Sequence, residues 1–167
     1  MKFNNYQNKL TPALQKIIKE GYRQACNYFK IIAHREVVFK GFYSPEIYQE
    51  IFNNQEILAN LKINTPQRKD LFWQELQALK FTTAGIALPS YKETWIILNS
   101  FFWKLDFSEQ MLLECAETIA HETSHAVVTN IDLWRAHGNP HSEITAYLKD
   151  YLWKNYNWKK ILIEANE

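Results

Sequence analysis

Glycine, cysteine and long apolar runs are all scarce in this sequence of 167 residues. Only four residues are glycine, so few positions can adopt a positive φ without strain, which favours a helix-rich chain. The two cysteines, Cys26 and Cys115, are too far apart for a Cys-x-x-Cys motif and too few for a disulfide framework. Both lie in apolar helical patterns, so we expect two buried free thiols and a reducing, cytoplasmic setting.

An excess of charge of one sign is lacking as well, since the formal net charge is only +1. A chain so close to neutral has no overall field that would draw it to nucleic acid or to a membrane surface. The N-terminal stretch MKFNNYQNKL contains no apolar core and does not predict a signal peptide. The longest apolar runs, such as Trp95 to Leu98, are too short to span a bilayer, so we expect a soluble protein without membrane partners.

The remaining composition is that of an ordinary globular domain. The length suffices for one domain with a substantial core, and no repeat or low-complexity linker divides it. We therefore expect a single domain over residues 1–167, with a helical part over about 1–80 and a catalytic core over about 82–155.

Several helix starts can be predicted from capping residues. An oxygen-bearing side chain followed by proline predicts three of them, at Thr11-Pro12, Ser44-Pro45 and Thr65-Pro66. Another helix should begin near Asp106, which has capping-box spacing to Glu109, or at Ser108. This helix should end near Thr129, and Asn139-Pro140 should start the last helix of the chain.

Three runs rich in β-branched and aromatic residues predict strands over residues 35–42, 82–88 and 94–99. Residues 89–92, with the sequence PSYK, separate the last two runs and predict a hairpin loop. We therefore expect an α+β fold, in which a small antiparallel sheet of about three strands packs on a helix.

That helix contains the motif HExxH, in which His121 and His125 are separated by one helical turn. Residues i and i+4 lie on the same face of a helix, so both imidazoles can bind one divalent ion at about 2.0–2.1 Å. Glu122 lies about 100° away around the helix, beside the ion. From there it can take a proton from a bound water whose pKa the ion lowers to about 7. The motif predicts a zinc-dependent hydrolase.

A catalytic zinc needs a third protein ligand and one open position. The compact pattern that places a third histidine six residues after the second is not present, because Ile131 occupies that position. His137 follows in a loop that is long enough to leave the first helix and return over the metal. His141 and Glu143, on the next helix, are the other candidates, and the residues alone leave all three open.

The segments HETSHA and HGNPH together resemble the SprT-like zinc metallopeptidases, and the likeness covers roughly residues 82–155. The resemblance implies a minimal zincin-like domain, zinc as the cofactor and peptide bonds of proteins as the substrate. It also implies that His121, His125 and His137 bind zinc and that Glu122 is the general base. The C-terminal cysteine zinc ribbon of many bacterial members is not expected, since no cysteine follows Cys115.

His141 departs from the family pattern, because it stands where the family usually has phenylalanine. We expect it to be buried near the metal as a packing residue that does not bind the ion, although a ligand or proton-donor role stays open. Glu143 and Glu117 are candidates for orienting a ligand imidazole, since ligating histidines usually donate their other N–H. The sequence pattern around Glu143 and Glu117 is equally typical of surface glutamates without a role at the metal.

Two further alternatives remain from the sequence. Residues 147–160 interleave tyrosine and tryptophan with lysine, a combination that can bind single-stranded DNA, and eukaryotic members of the family degrade DNA-bound proteins. Lysines on a last helix are also typical of an ordinary solvated face. The zinc site itself could serve a hydrolase of non-peptide substrates or a non-catalytic binding module, although Glu122 argues against the latter because a structural site needs no base.

Overall fold

The computed structural model describes residues 2–82, 84–99, 108–133 and 136–167. Over these residues the chain forms α1 (Lys2–Phe29), β1 (Glu36–Phe42), α2 (Pro45–Asn53), α3 (Gln55–Asn60), α4 (Pro66–Thr82), β2 (Gly85–Pro89), β3 (Glu93–Leu98), α5 (Glu109–Val128), α6 (His141–Asn155) and α7 (Trp158–Asn166). The predicted α+β class and the three strands are confirmed.

The sheet has the strand order β1-β3-β2 and is mixed. β2 and β3 form the expected antiparallel hairpin, in which Gly85 pairs with Leu98. β1 runs parallel to β3, with Glu36 opposite Glu93, so the expectation of a wholly antiparallel sheet is wrong. The reason is topological: α2, α3 and α4 lead from the end of β1 to the start of β2, which runs in the opposite direction to β1. β2 therefore returns the chain to the end of the sheet where β1 began, and β3 starts there and runs parallel to β1.

The sheet is covered on both faces, which explains why β3 is buried along almost its whole length. Alternate side chains point to opposite faces, so Ile96 and Leu98 pack in the core formed with α1 and α5. Trp95 and Ile97 pack in a second core with α2, α3 and α4. Two covered faces require nearly continuous apolar residues, as the run TWIIL provides.

Most predicted helix starts are confirmed by their capping hydrogen bonds. The hydroxyls of Ser44 and Thr65 accept from backbone N–H groups three residues ahead, each at 3.2 Å. Ser108 caps α5 by accepting from the Met111 N–H at 3.3 Å. Asp106, the alternative cap, lies outside the described residues.

The predicted start at Thr11-Pro12 is wrong, because α1 already begins at Lys2 and contains Pro12. Leu10 is fully buried together with Leu14, one turn later, so packing continues the helix through the proline. The Thr11 hydroxyl donates to the Gln7 carbonyl at 2.8 Å, as a hydroxyl inside a helix can. The short helices α3 and α7 were not predicted either. α6 begins at His141, directly after Asn139-Pro140 as expected, but α7 follows it, so the expectation that it is the last helix is wrong.

Cys26 and Cys115 are free and buried, as predicted. Burial raises the pKa of the Cys115 thiol to about 12, so this thiol stays protonated and unreactive at neutral pH. Within the described parts of the chain, no helix combines the length and the apolar character that crossing a membrane demands.

Candidate metal centre

The HExxH motif occupies the C-terminal half of α5, which packs between the sheet and α6. The Nε2 atoms of His121 and His125 lie 3.2 Å apart, so the two rings converge on one point as the spacing predicts. Two imidazole nitrogens that bind one tetrahedral zinc at about 2.0–2.1 Å lie about 3.3 Å from each other. The pair is therefore already at the separation that an ion needs.

Two more histidines, from the loop before α6 and from α6 itself, lie close to the HExxH pair. His137 is exposed in the loop before α6, and His141 is the first residue of α6 with only 2% of its surface exposed. The ring centroid of His137 lies 4.8 Å from that of His125, and the ring centroid of His141 lies 4.1 Å from it. His34, the remaining histidine, instead contacts the backbone carbonyl of Asn130 at 3.1 Å.

The third ligand predicted from the family resemblance is His137, and the structure offers His141 as an alternative third ligand. The candidate ligand atoms of His121, His125 and His141 all lie within 4.8 Å of one another, and His137 does not belong to this group. The burial expected for His141 is confirmed, but its ring lies as close to the HExxH pair as that of His137 does. Assignment of His137 as a ligand stays a prediction.

The donor set suits a divalent transition metal. Burial, with the neighbouring His141 and His137 rings, lowers the pKa of His121 to about 4, and burial also lowers the pKa of His141. Both imidazoles are therefore neutral near pH 7, which is the form that binds a metal ion. Neutral imidazole nitrogens are ligands for zinc, copper, iron and nickel. The residues therefore fit zinc, and they also fit these other metals.

Glu122 points from α5 toward β2 and is buried, with 5% of its surface exposed. Burial raises the pKa of its carboxyl group to about 8. A Cβ atom placed on Gly85 would lie 2.9 Å from Glu122 Cγ and 3.2 Å from its Cδ. Gly85 thus leaves the room that the Glu122 side chain fills. This contact was not predicted from the sequence, although a glycine inside a strand indicates close approach of another group.

Gly85→Ala is expected to lower the free energy of unfolding by about 1–3 kcal/mol, the usual cost of overpacking a filled site. The new methyl group would also lie 3.0 Å from Leu98 Cδ2, so β2 or its neighbours must shift. Urea unfolding of both proteins measures the difference. In a Glu122→Ala background the cost of Gly85→Ala should be smaller, because one of the two clashing side chains is gone.

The matched control for that prediction is Gly21→Ala. A Cβ atom at Gly21 would meet Leu148 Cδ2 at 3.5 Å, an ordinary van der Waals contact, and alanine is the better residue in a helix interior. Gly21→Ala should therefore be at least as stable as the parent. A Gly85→Ala protein as stable as the Gly21→Ala protein would show that the Glu122 contact is not tight.

A cleft of about 540 Å³ opens beside His121 and Glu122. Its other lining residues are Ala84, Glu117, Thr118, Thr145 and Lys149. Glu117, a candidate for orienting a ligand imidazole, forms an ion pair with Lys149 across α5 and α6. Glu143, the other such candidate, is exposed on the first turn of α6. The roles suggested for both glutamates stay predictions.

The aromatic and lysine residues of the C-terminal segment have contacts within the protein. Tyr147 stacks on Tyr28 with ring centroids 4.3 Å apart. Trp158 is buried, and its indole N–H donates to the Leu152 carbonyl at 3.2 Å. Lys154 pairs with an acidic residue one turn away on its own helix. Contact of this segment with single-stranded DNA stays a prediction.

The four histidines, Glu122 and the adjoining cleft are the features on which a function can be argued. They meet where the C-terminal half of α5 faces the start of α6 on one side and the start of β2 on the other. Comparisons of the chain with models of known protein families, with curated proteins and with solved structures found no match in any of the three.

Proposed function

We propose that the protein is a zinc-dependent metallopeptidase of the SprT-like kind, which hydrolyses peptide bonds of protein substrates. The observation that carries the proposal is the convergence of the HExxH pair with further histidines next to a buried carboxyl group and a cleft. In this proposal His121, His125 and His137 hold the zinc. When bound, zinc polarises the substrate carbonyl and lowers the pKa of water to about 7.

Glu122 is the general base in this proposal. Without an ion, burial raises the pKa of its carboxyl group to about 8, so the group is mostly protonated at neutral pH. A zinc ion beside it would favour the ionised form, which is the form that can take a proton. A base of this kind can accept a proton from the attacking water and deliver it to the leaving amine nitrogen. Gly85 and α5 together fix the side chain beside the cleft, so little reorganisation is needed for the transfer.

The substrate in this proposal is an extended peptide that adds to the sheet at β2. β2 is the last strand in the described order, with β3 on one side only. The Asn99 N–H donates to the Ala84 carbonyl at 2.8 Å, so by alternation the backbone groups of Gly85 and Ala87 point away from β3. A peptide paired with those groups would lie next to Glu122, which contacts Gly85.

The test is metal analysis followed by a cleavage assay on unfolded protein substrates. We expect about one zinc per chain, hydrolysis that stops when a chelator removes the ion, and recovery when zinc is added back. A protein that binds no divalent metal would contradict the whole proposal. Zinc binding together with cleavage of small ester or amide substrates, but not of proteins, would favour the hydrolase of non-peptide substrates instead.

A further inference from the structure

We infer that His141 is a fourth imidazole ligand, so that the free protein holds its ion in a closed four-histidine site. The inference rests on the proposed function, because it concerns the same ion. It also replaces the role that the sequence suggested for His141, which was packing without binding. A closed site has no position for water, so one imidazole has to leave before hydrolysis can begin.

The distances among the four rings carry the inference. When four imidazoles bind one tetrahedral ion at about 2.0–2.1 Å, every pair of ring centroids lies about 5 Å apart. The six observed distances are 4.8 Å for His121–His125, 5.4 Å for His121–His137, 4.8 Å for His121–His141, 4.8 Å for His125–His137, 4.1 Å for His125–His141 and 5.3 Å for His137–His141. Five of the six distances are close to that value, and the His125–His141 pair is closer at 4.1 Å. The ligand atoms of His121, His125 and His141 lie within 4.8 Å of one another, so in this site the exposed His137 is the ligand whose ring moves onto the ion.

The other nitrogen of His141 is placed as it is in most metal-binding histidines. Its Nε2 lies 3.3 Å from the backbone carbonyl oxygen of His121. Ligating histidines usually donate the N–H that does not face the metal to a carbonyl or carboxylate, which fixes the ring and its tautomer. With Nε2 donating in this way, Nδ1 of His141 is the atom left to bind the ion.

Burial distinguishes His141 from His137. His141 is held by the first turn of α6, and Ile144 on the same face of that helix is fully buried. His137 lies in an exposed loop. Because His141 is buried on α6, its ring stays at the histidine cluster whenever α6 is packed on α5, whether or not a substrate is bound.

X-ray absorption on the zinc-loaded, unmodified protein tests the inference directly. We expect a first shell of four imidazole nitrogens, whereas three imidazoles and one oxygen would overturn the inference. His141→Phe should lower zinc affinity at least tenfold and replace one nitrogen of the shell with oxygen. His34→Phe, which removes the histidine outside the cluster, should change neither quantity. Unchanged zinc affinity in the His141→Phe protein would also overturn the inference.

The same proteins separate this inference from the proposed function. If the closed site is correct, His141→Phe should hydrolyse protein substrates faster per bound zinc than the parent, because it opens one position. A four-imidazole shell without cleavage of proteins by either protein would support the inference and contradict the proposed function. A shell of three imidazoles and one oxygen, together with efficient cleavage of proteins, would support the proposed function and contradict the inference of a closed site.

Discussion

Glu122→Gln is expected to lower the rate of peptide hydrolysis by a factor of about 10²–10⁴, the usual contribution of a general base. Glutamine has nearly the same shape and still fits over Gly85, but it cannot accept a proton at neutral pH. Zinc content should not change, because Glu122 points toward β2 and is not a proposed ligand. Initial rates of protein cleavage, normalised to bound zinc, measure the effect.

Glu114→Gln provides the matched control for this prediction. Glu114 lies on the same helix, is exposed and bonds through its carboxylate with Gln110 at 3.3 Å, away from the cleft. The substitution makes the same exchange of a carboxyl group for an amide on α5 and should leave the rate of hydrolysis close to that of the parent. If the Glu122→Gln protein cleaves substrates as fast as the Glu114→Gln protein, the proposed base is wrong.

Loss of a ligand histidine is the second large effect that we expect. His125→Ala should lower zinc affinity more than about a hundredfold and His137→Ala at least about tenfold, since even partners outside the ligand set are worth about 10–100-fold. The Nε2 atom of the buried His125 lies 3.2 Å from that of His121, whereas His137 lies in an exposed loop. Competition with a chromogenic chelator measures both affinities.

His34→Ala is the control for these two variants, because His34 lies against Asn130 outside the cluster. Its zinc affinity should equal that of the parent. Normal zinc binding by the His137→Ala protein would show that the ligand assignment carried over from the SprT-like resemblance is wrong. Normal binding by the His125→Ala protein would show that the ion, if any, is held elsewhere.

Local features of the chain could be predicted because their causes lie within a few residues. The convergence of His121 and His125 follows from the pitch of one helix, and the cap of α5 follows from a single serine, Ser108. The hairpin of β2 and β3 follows from a short loop between two apolar runs. In each case the sequence contains both partners of the contact close together.

Features that depend on distant packing could not be predicted in the same way. The parallel direction of β1 relative to β3 depends on where the three intervening helices place β2, and nothing within β1 itself indicates it. The contact of Gly85 with Glu122 depends on how closely α5 lies on β2. The position of the His141 ring depends on the packing of α6 against α5, which is why the family pattern suggested only a packing role for it.

The parallel pairing of β1 with β3 also has a consequence during synthesis on the ribosome. β1 ends at Phe42, but its partner begins only at Glu93, after three helices and β2 have been made. At a translation rate of about 5–20 residues per second, about 3–10 s pass between the synthesis of β1 and that of β3, its partner strand. Over that interval its backbone N–H and C=O groups can pair with other nascent chains. Slower translation of residues 43–92 should therefore increase aggregation, whereas slower translation of the α5–α6 region should not.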